Sequence, residues 1–89
     1  MTTATPLGVT ATIAAAARQA ELRHAFDEAL PLWQQAVDAD TASRRDDPMR
    51  RYSLLRGTTA AQFRLADIEG ARTSVDAAIE AAHALGRWD

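Results

Sequence analysis

Residues 65–80 read LADIEGARTSVDAAIE, and most of this pattern also occurs earlier in the chain, within residues 26–38. In both copies, bulky and small apolar residues alternate at helical spacing: Phe26, Ala29, Trp33, Ala36 and Val37 in the first, and Ile68, Ala71, Val75, Ala78 and Ile79 in the second. The acidic residues correspond as well, Asp27 to Glu69 and Asp38 to Glu80. An ordered alternation that occurs twice indicates two copies of one helical unit.

The composition predicts one small domain with a thin core. Hydrophobic residues make up 47% of the 89 residues, but 21 of them are alanine, so large apolar side chains are few. Much of the buried area must come from the five aromatic residues, which are Phe26, Trp33, Tyr52, Phe63 and Trp88. A chain of this size gains stability from a partner or from a second copy of itself.

The charge and the missing residue types exclude several classes of function. The net charge of −2 argues against general nucleic-acid binding, which uses a basic face. All ten basic residues are arginine and cysteine is absent, which excludes lysine-based and thiolate chemistry. His24 and His83 fit no metal-site spacing. We therefore expect no catalytic residue, no metal, no cofactor and no enzyme activity.

The sequence also bears on where the protein acts. No apolar stretch approaches the length of a membrane span, so no membrane partner is expected. The apolar run at residues 13–17 lacks a preceding basic region, and Thr10 and Thr12 interrupt the segment before it, unlike a signal peptide. The expected location is the cytoplasm.

Capping residues and helix breakers predict an all-α chain of four helices, near residues 10–24, 26–40, 49–66 and 68–85. Thr10 or Thr12 is the expected first cap, Asp46 or Asp47 precedes Pro48 at the third helix, and Gly86 is a natural stop. Residues 1–9 are predicted to be a disordered arm. Repeat one then covers 10–43, repeat two covers 48–85 within a domain of 10–86, and 87–89 form a tail.

Two residues within the predicted helices limit the fold. Pro31 either falls at the end of the first turn of a helix that starts near Asp27, or is itself the first residue of a new helix. The internal correspondence favours the first arrangement, and an ordinary four-helix bundle becomes the preferred fold in the second. Gly57 weakens its helix by about 1 kcal/mol relative to alanine and is typical of close helix packing.

The segment 65–80 resembles the centre of a tetratricopeptide repeat. The residues that carry the resemblance are Leu65, Ala66, Ile68, Ala71, Val75 and Ala78 in the second copy, and Phe26, Ala29, Trp33 and Ala36 in the first. The resemblance implies two antiparallel helix hairpins stacked as a right-handed solenoid fragment. The chain departs from the family in two ways. Its repeat length, which is the distance along the chain from Phe26 to Ile68, is longer than that of the family, and Pro31 has no counterpart in the second copy.

In that family the first helix of each repeat lines a concave binding face. Matching positions in this chain put Arg18 and Glu21 there from the first copy, and Arg56, Phe63 and Arg64 from the second. Three arginines around Phe63 would suit an acidic or carboxylate-ended peptide. The competing interpretation of these residues is ordinary solvated helix surface.

Other residues bear on partners and local ion pairs. Two repeats without an obvious polar cap leave an apolar end, which predicts a homodimer or docking on a larger partner. Trp88 is the candidate oligomer contact, unless it folds back onto the last helix. A second basic group, formed by Arg44, Arg45, Arg50 and Arg51, is expected to pair locally with Asp46 and Asp47 in a solvated linker.

Taken together, the residues predict a non-catalytic protein–protein interaction module, an adaptor or assembly factor that binds a protein or peptide. The alternative is a small regulatory or inhibitory protein, of the immunity or antitoxin type, that blocks an enzyme with an acidic surface. That alternative requires the acids to cluster on one face, whereas a groove binder should bring Arg18, Arg56 and Arg64 together.

Overall fold

The computed structural model describes residues 6–43 and 47–86, which form four α-helices of 17 residues each. These are α1 (Pro6–Leu22), α2 (Phe26–Ala42), α3 (Pro48–Arg64) and α4 (Ile68–Ala84). No strand occurs within the described ranges, so the predicted all-α class is confirmed. The number of residues from the start of α1 to the start of α3 equals the number from the start of α2 to the start of α4. It also equals the spacing between the two copies of the sequence pattern, from Phe26 to Ile68.

The first helix begins earlier than its sequence suggested. α1 starts at Pro6, so residues 6–9, assigned above to a disordered arm, are helical. Proline suits the first turn of a helix because its fixed φ is already helical and the N–H it lacks would have no partner there. The expected caps Thr10 and Thr12 therefore lie inside the helix, while residues 1–5 and the tail 87–89 lie outside the described residues.

Side-chain caps start the third and fourth helices. The carboxylate of Asp47 accepts a hydrogen bond from the backbone N–H of Arg50 at 3.2 Å, and Asp67 accepts one from Gly70 at 3.1 Å. Each acid satisfies a backbone donor that the first turn would otherwise leave free. Of the two acids that the sequence left open as the cap of the third helix, Asp46 or Asp47, the structure has Asp47.

The two hairpin turns have the same construction. His24 and Ala66 both have positive φ, 58° and 62°, which reverses the chain after α1 and α3. The next amide then bonds back across the turn, from Ala25 to the carbonyl of Ala20 at 2.9 Å and from Asp67 to that of Gln62 at 2.8 Å. This bond from five residues back closes a helix end in the Schellman manner.

Pro31 lies inside α2, which continues through it from Phe26 to Ala42. The proline is exposed to solvent, and it lacks the N–H that would bond to the carbonyl of Asp27. Of the two arrangements left open by the sequence, the helix that includes Pro31 is the correct one.

Packing follows the order of the chain. The extensive helix contacts are between α1 and α2, α2 and α3, and α3 and α4. The resulting body measures 42 × 36 × 18 Å, so its shortest dimension is about two helix diameters. The helices thus form a flat, two-layer arrangement that has end faces.

Trp33 is the large aromatic side chain of the main core. It is 3% exposed and packs among alanines of α1 and α2 together with Leu54 and Ala61 of α3. The alanines in this cluster are Ala14, Ala17, Ala20, Ala29 and Ala36. Because alanine fills little space, the helices lie close together and the indole occupies the remaining volume.

Gly57 allows α3 to cross this indole. A Cβ atom at position 57 would lie 2.5 Å from Cε2 and 2.6 Å from Cζ2 of Trp33, far inside van der Waals contact. The glycine is therefore required for packing, as its sequence position suggested, and its cost in helix propensity is offset by the contact it permits.

Replacing Gly57 with alanine tests this contact. In an exposed helix the change would stabilise by about 1 kcal/mol, but here we expect a destabilisation of about 1–3 kcal/mol from overpacking against Trp33. Urea denaturation followed by circular dichroism measures the free energy of unfolding. In a Trp33→Val background the same Gly57→Ala change should be harmless, and a stabilising Gly57→Ala in the unmodified chain would contradict the contact.

A buried ion pair also joins α2 to α3. Asp40 is 2% exposed, and its carboxylate accepts a hydrogen bond from Nε of Arg50 at 2.5 Å, with Nε of Arg51 at 3.6 Å. An acid in the last turn of a helix is disfavoured by the helix dipole, so the arginines of the next helix neutralise it. Arg50 also makes the expected local pair, with its Nη1 3.7 Å from Oδ2 of Asp47, but its side chain is only 13% exposed, so the expected solvation is wrong for this residue. Arg44, Arg45 and Asp46 lie outside the described residues.

Asp40→Ala should destabilise the fold by on the order of 3 kcal/mol, because it leaves the buried Arg50 without its main partner. Asp38→Ala is the matched control on the same helix, exposed and expected to change stability by less than about 0.5 kcal/mol. Removing both partners in Asp40→Ala/Arg50→Ala should cost less than the sum of the single changes. If thermal or urea unfolding shows that the double variant loses as much stability as the two single variants added together, the pair is not coupled.

Candidate functional site

The buried faces of α3 and α4 differ from those predicted. On α4 the small residues are buried, whereas Ile68, Val75 and Ile79 are 60%, 37% and 38% exposed. On α3, Phe63 is 58% exposed. The buried residues of this helix are Leu54, Leu55, Thr58, Ala61 and Gln62. Part of the expected core is therefore surface.

This surface contains a groove between α3 and α4 of about 480 Å³, which we call the outer groove. It is lined by Tyr52, Arg56, Thr59, Ala60, Val75, Ala78 and Ile79. Helical spacing puts Tyr52 and Thr59 on the opposite side of α3 from Leu54 and Ala61, which pack with Trp33. The outer groove thus lies on the face of α3 that α2 does not cover.

The polar groups of the outer groove are few and specifically placed. The guanidinium carbon of Arg56 lies 5.9 Å from the centroid of the Tyr52 ring, one helical turn away. The hydroxyl of Thr59 donates to the carbonyl of Leu55 at 2.8 Å, so its own hydrogen bond is made within the helix. The groove therefore offers apolar surface and one cation, a combination that suits an apolar segment carrying an acid.

The other arginines of the predicted binding face lie elsewhere. Arg18 lies over Trp33, with its guanidinium carbon 5.5 Å from the ring centroid, and Arg64 lies over Phe26 at 5.2 Å. Arg56 is over Tyr52, so each of the three arginines contacts a different ring, and the expectation that they come together in one groove is wrong. Of the predicted residues, Arg56 lines the outer groove.

Glu21 has a structural partner. Its carboxylate oxygen Oε2 accepts a hydrogen bond of 2.8 Å from the indole Nε1 of Trp33, and the pair is partly buried. The structure thus brings Arg18 and Glu21 together at Trp33, where they cover the indole and satisfy its only donor. Phe63 is exposed as expected, and the candidate oligomer contact Trp88 lies outside the described residues.

Sequence reasoning did not identify Val75, Ile79 and Tyr52 as residues that line a groove. Their apolar character and helical spacing are typical of core positions, which is how they were interpreted. The available signal was the internal correspondence, since Val75 stands where the first copy has Trp33. Trp33 is buried by α3, a helix of the following unit, so the burial of Val75 depends equally on a helix that packs against α4.

A second cleft lies on another side of α3, with a volume of about 400 Å³. Its walls include Val37 of α2, Leu55 and Arg51 of α3, and Glu80 of α4. Beside it, the hydroxyl of Ser74 donates to the amide oxygen of Gln62 at 2.7 Å in a buried bond between α3 and α4. This cleft lies within the packing of three helices and is less apolar than the outer groove.

The described residues contain no group of three or more His, Cys, Asp or Glu that could hold a metal ion. Within the same ranges, no helix combines the length and apolar character needed to cross a membrane. No family model, no curated protein and no solved structure matches this chain.

Glu21→Leu should destabilise the protein by about 1–3 kcal/mol, because the buried indole N–H of Trp33 loses its acceptor. Glu21→Gln keeps an acceptor oxygen and should cost less. Glu69→Leu, at an exposed position of α4, is the control for removing an acid. In a Trp88→Phe background the fluorescence of Trp33 reports unfolding directly, and equal effects of Leu and Gln at position 21 would exclude a stabilising hydrogen bond.

Proposed function

We propose that this chain is a non-catalytic protein–protein interaction module, an adaptor or assembly factor that binds a protein partner through the outer groove. The observation that carries the proposal is the exposure of branched apolar side chains, Val75 and Ile79, along a groove on one face. Contiguous exposed apolar surface of this kind marks protein–protein contacts in soluble domains.

The shape of the outer groove favours a helical or extended apolar segment. Two antiparallel helices form a trough that an amphipathic helix fills with residues one turn apart. Arg56 lies at the groove beside Tyr52, so a partner with an acidic side chain at that point gains a charge-assisted hydrogen bond. The partner side chain beside Arg56 is therefore a hydrogen-bond acceptor, a carboxylate or an amide.

The tetratricopeptide-like interpretation belongs to this proposal. It is supported by the equal length of the four helices, their regular spacing along the chain and the matching turns at His24 and Ala66. A stack of two such hairpins leaves one apolar end, which is the reason to propose self-association or docking on a larger protein. Action in the cytoplasm is likewise part of the proposal.

One observation supports the alternative of an inhibitory protein with an acidic surface. Glu69, Asp76 and Glu80 are exposed and lie along one stripe of α4. Glu80 lines the second cleft and none of the three acids lines the outer groove, so an inhibitor would use the acids and a groove binder the apolar residues. Charge substitution at each surface separates the two functions.

Site-specific photo-crosslinking in native cells tests the proposal. A photoreactive residue at Ile79 should give a defined protein adduct, whereas one at the exposed Thr73, on another side of α4, should not. Val75→Arg should abolish the Ile79 adduct by placing a charge in the groove. An adduct from Asp76 that survives Val75→Arg and is lost on Glu80→Arg would support the inhibitor instead, and no groove adduct at all would reject the proposal.

A further inference from the structure

The chain already contains a groove that is filled by a helix. Between α1 and α2, the residues Ala14, Ala17 and Trp33 form a surface on which Leu54 and Ala61 of α3 pack in one buried cluster. Gly57 of α3 lies directly on the indole at the centre of this contact. We call this surface the inner groove, and α3 is its occupant.

The outer groove is the second copy of the inner groove. The helices that form the two grooves are related by the displacement along the chain that takes Phe26 to Ile68. Under this displacement Ala14 and Ala17 correspond to Arg56 and Thr59, while Trp33 corresponds to Val75. A helix that packs on the outer groove in the way that α3 packs on the inner groove would therefore cover Val75 and its neighbours.

We propose that the outer groove binds α1 of a second copy of this chain, head to tail, in the way that the inner groove binds α3. This inference rests on the proposed function, because it names the partner of the outer groove. α1 is the helix that corresponds to α3. The residues of α1 that would enter the groove are Thr12, Ala15 and Gln19, which correspond to Leu54, Gly57 and Ala61 and are all exposed.

The sizes of the central residues are matched in both contacts. In the inner groove the largest side chain, Trp33, meets a residue with no side chain, Gly57. In the proposed contact the smaller Val75 would meet Ala15, which has one methyl group. The smaller side chain of Val75 relative to Trp33 is offset by the larger side chain of Ala15 relative to Gly57, as close packing requires.

Both members of the buried ion pair at the inner groove are replaced by uncharged residues at the corresponding positions of the proposed contact. Asp40 and Arg50 form the ion pair beside the inner groove, and their counterparts are Ala82 and Gly8. Had only one of the two positions lost its charge, the proposed contact would bury an unpaired ion, which is strongly unfavourable. Both positions are small and uncharged, so neither of them brings an unpaired ion into the contact.

The polar residues are matched in the same manner. Apolar Leu54 and Ala61 meet alanines in the inner groove. Polar Thr12 and Gln19 would meet the surface that contains Arg56 and the tyrosine hydroxyl of Tyr52. The side-chain amide of Gln19 is an acceptor for an arginine and a donor for a hydroxyl, so these groups have partners when covered.

The geometry has a definite consequence for assembly. A head-to-tail contact uses different surfaces on the two copies, so each dimer still has one free α1 face and one free outer groove. Addition continues at both ends, and the mass should rise with concentration. Pairing of two outer grooves would instead stop at a dimer.

Two substitutions test the inference, each blocking one surface. Ala15→Arg blocks the α1 face, and Val75→Arg blocks the outer groove; both positions are exposed, and circular dichroism checks that each variant folds. Sedimentation velocity over a range of concentrations should show that each variant alone self-associates more than about tenfold more weakly than the unmodified chain.

The mixture of the two variants is the decisive sample. Ala15→Arg retains an intact groove and Val75→Arg an intact α1, so together they should form one complex of twice the 9.6 kDa chain mass and grow no further. Formation of this two-chain complex supports the inference.

Other outcomes reject it and are distinguishable from a failure of the proposed function. If Val75→Arg abolishes self-association and Ala15→Arg does not, the outer grooves pair with each other, and head-to-tail binding is wrong while groove binding stands. If the unmodified chain remains a monomer at every concentration, the inference is wrong, and crosslinking from Ile79 then decides whether another protein occupies the groove.

Discussion

The packing of Gly57 on the indole of Trp33 is the contact on which the rest of this structure depends. Alanine supplies most of the buried positions in the main core, and each adds only a methyl group, worth about 0.8 kcal/mol per buried carbon. One indole fills the space between three helices, and only a residue without a side chain lets α3 lie against it. The position of α3 then determines where α4 and the outer groove lie.

Polar contacts at the periphery of the core stabilise the same arrangement of the helices. Glu21 accepts the hydrogen bond of the buried indole, and the Asp40–Arg50 pair joins the end of α2 to the start of α3. Such groups add less net stability than apolar burial, but each is costly to leave unpaired, so they disfavour other orientations of the helices. A thin core is thereby held in one arrangement.

The outer groove repeats the design of the inner groove with different residues. Val75 stands in the place of Trp33 and remains 37% exposed, because no described helix follows α4 to cover it as α3 covers Trp33. Apolar surface left open in this way is the physical basis for the proposed binding function. The matched changes at Ala15, Gly8 and Ala82 are the basis for naming a second copy of the chain as the partner.

The sequence by itself determined the local structure. Helical spacing, the capping acid before Pro48 and the correspondence between the two halves predict four helices in two repeated units, a buried Trp33 and a glycine at a close approach. Only the tertiary structure decided which side of α3 and α4 is buried and that Arg50 pairs with Asp40. Periodicity shows which residues share a face, but a middle helix has more than one apolar face. Which of them is covered depends on where the neighbouring helices lie, and that in turn depends on long-range contacts such as Trp33 with Gly57.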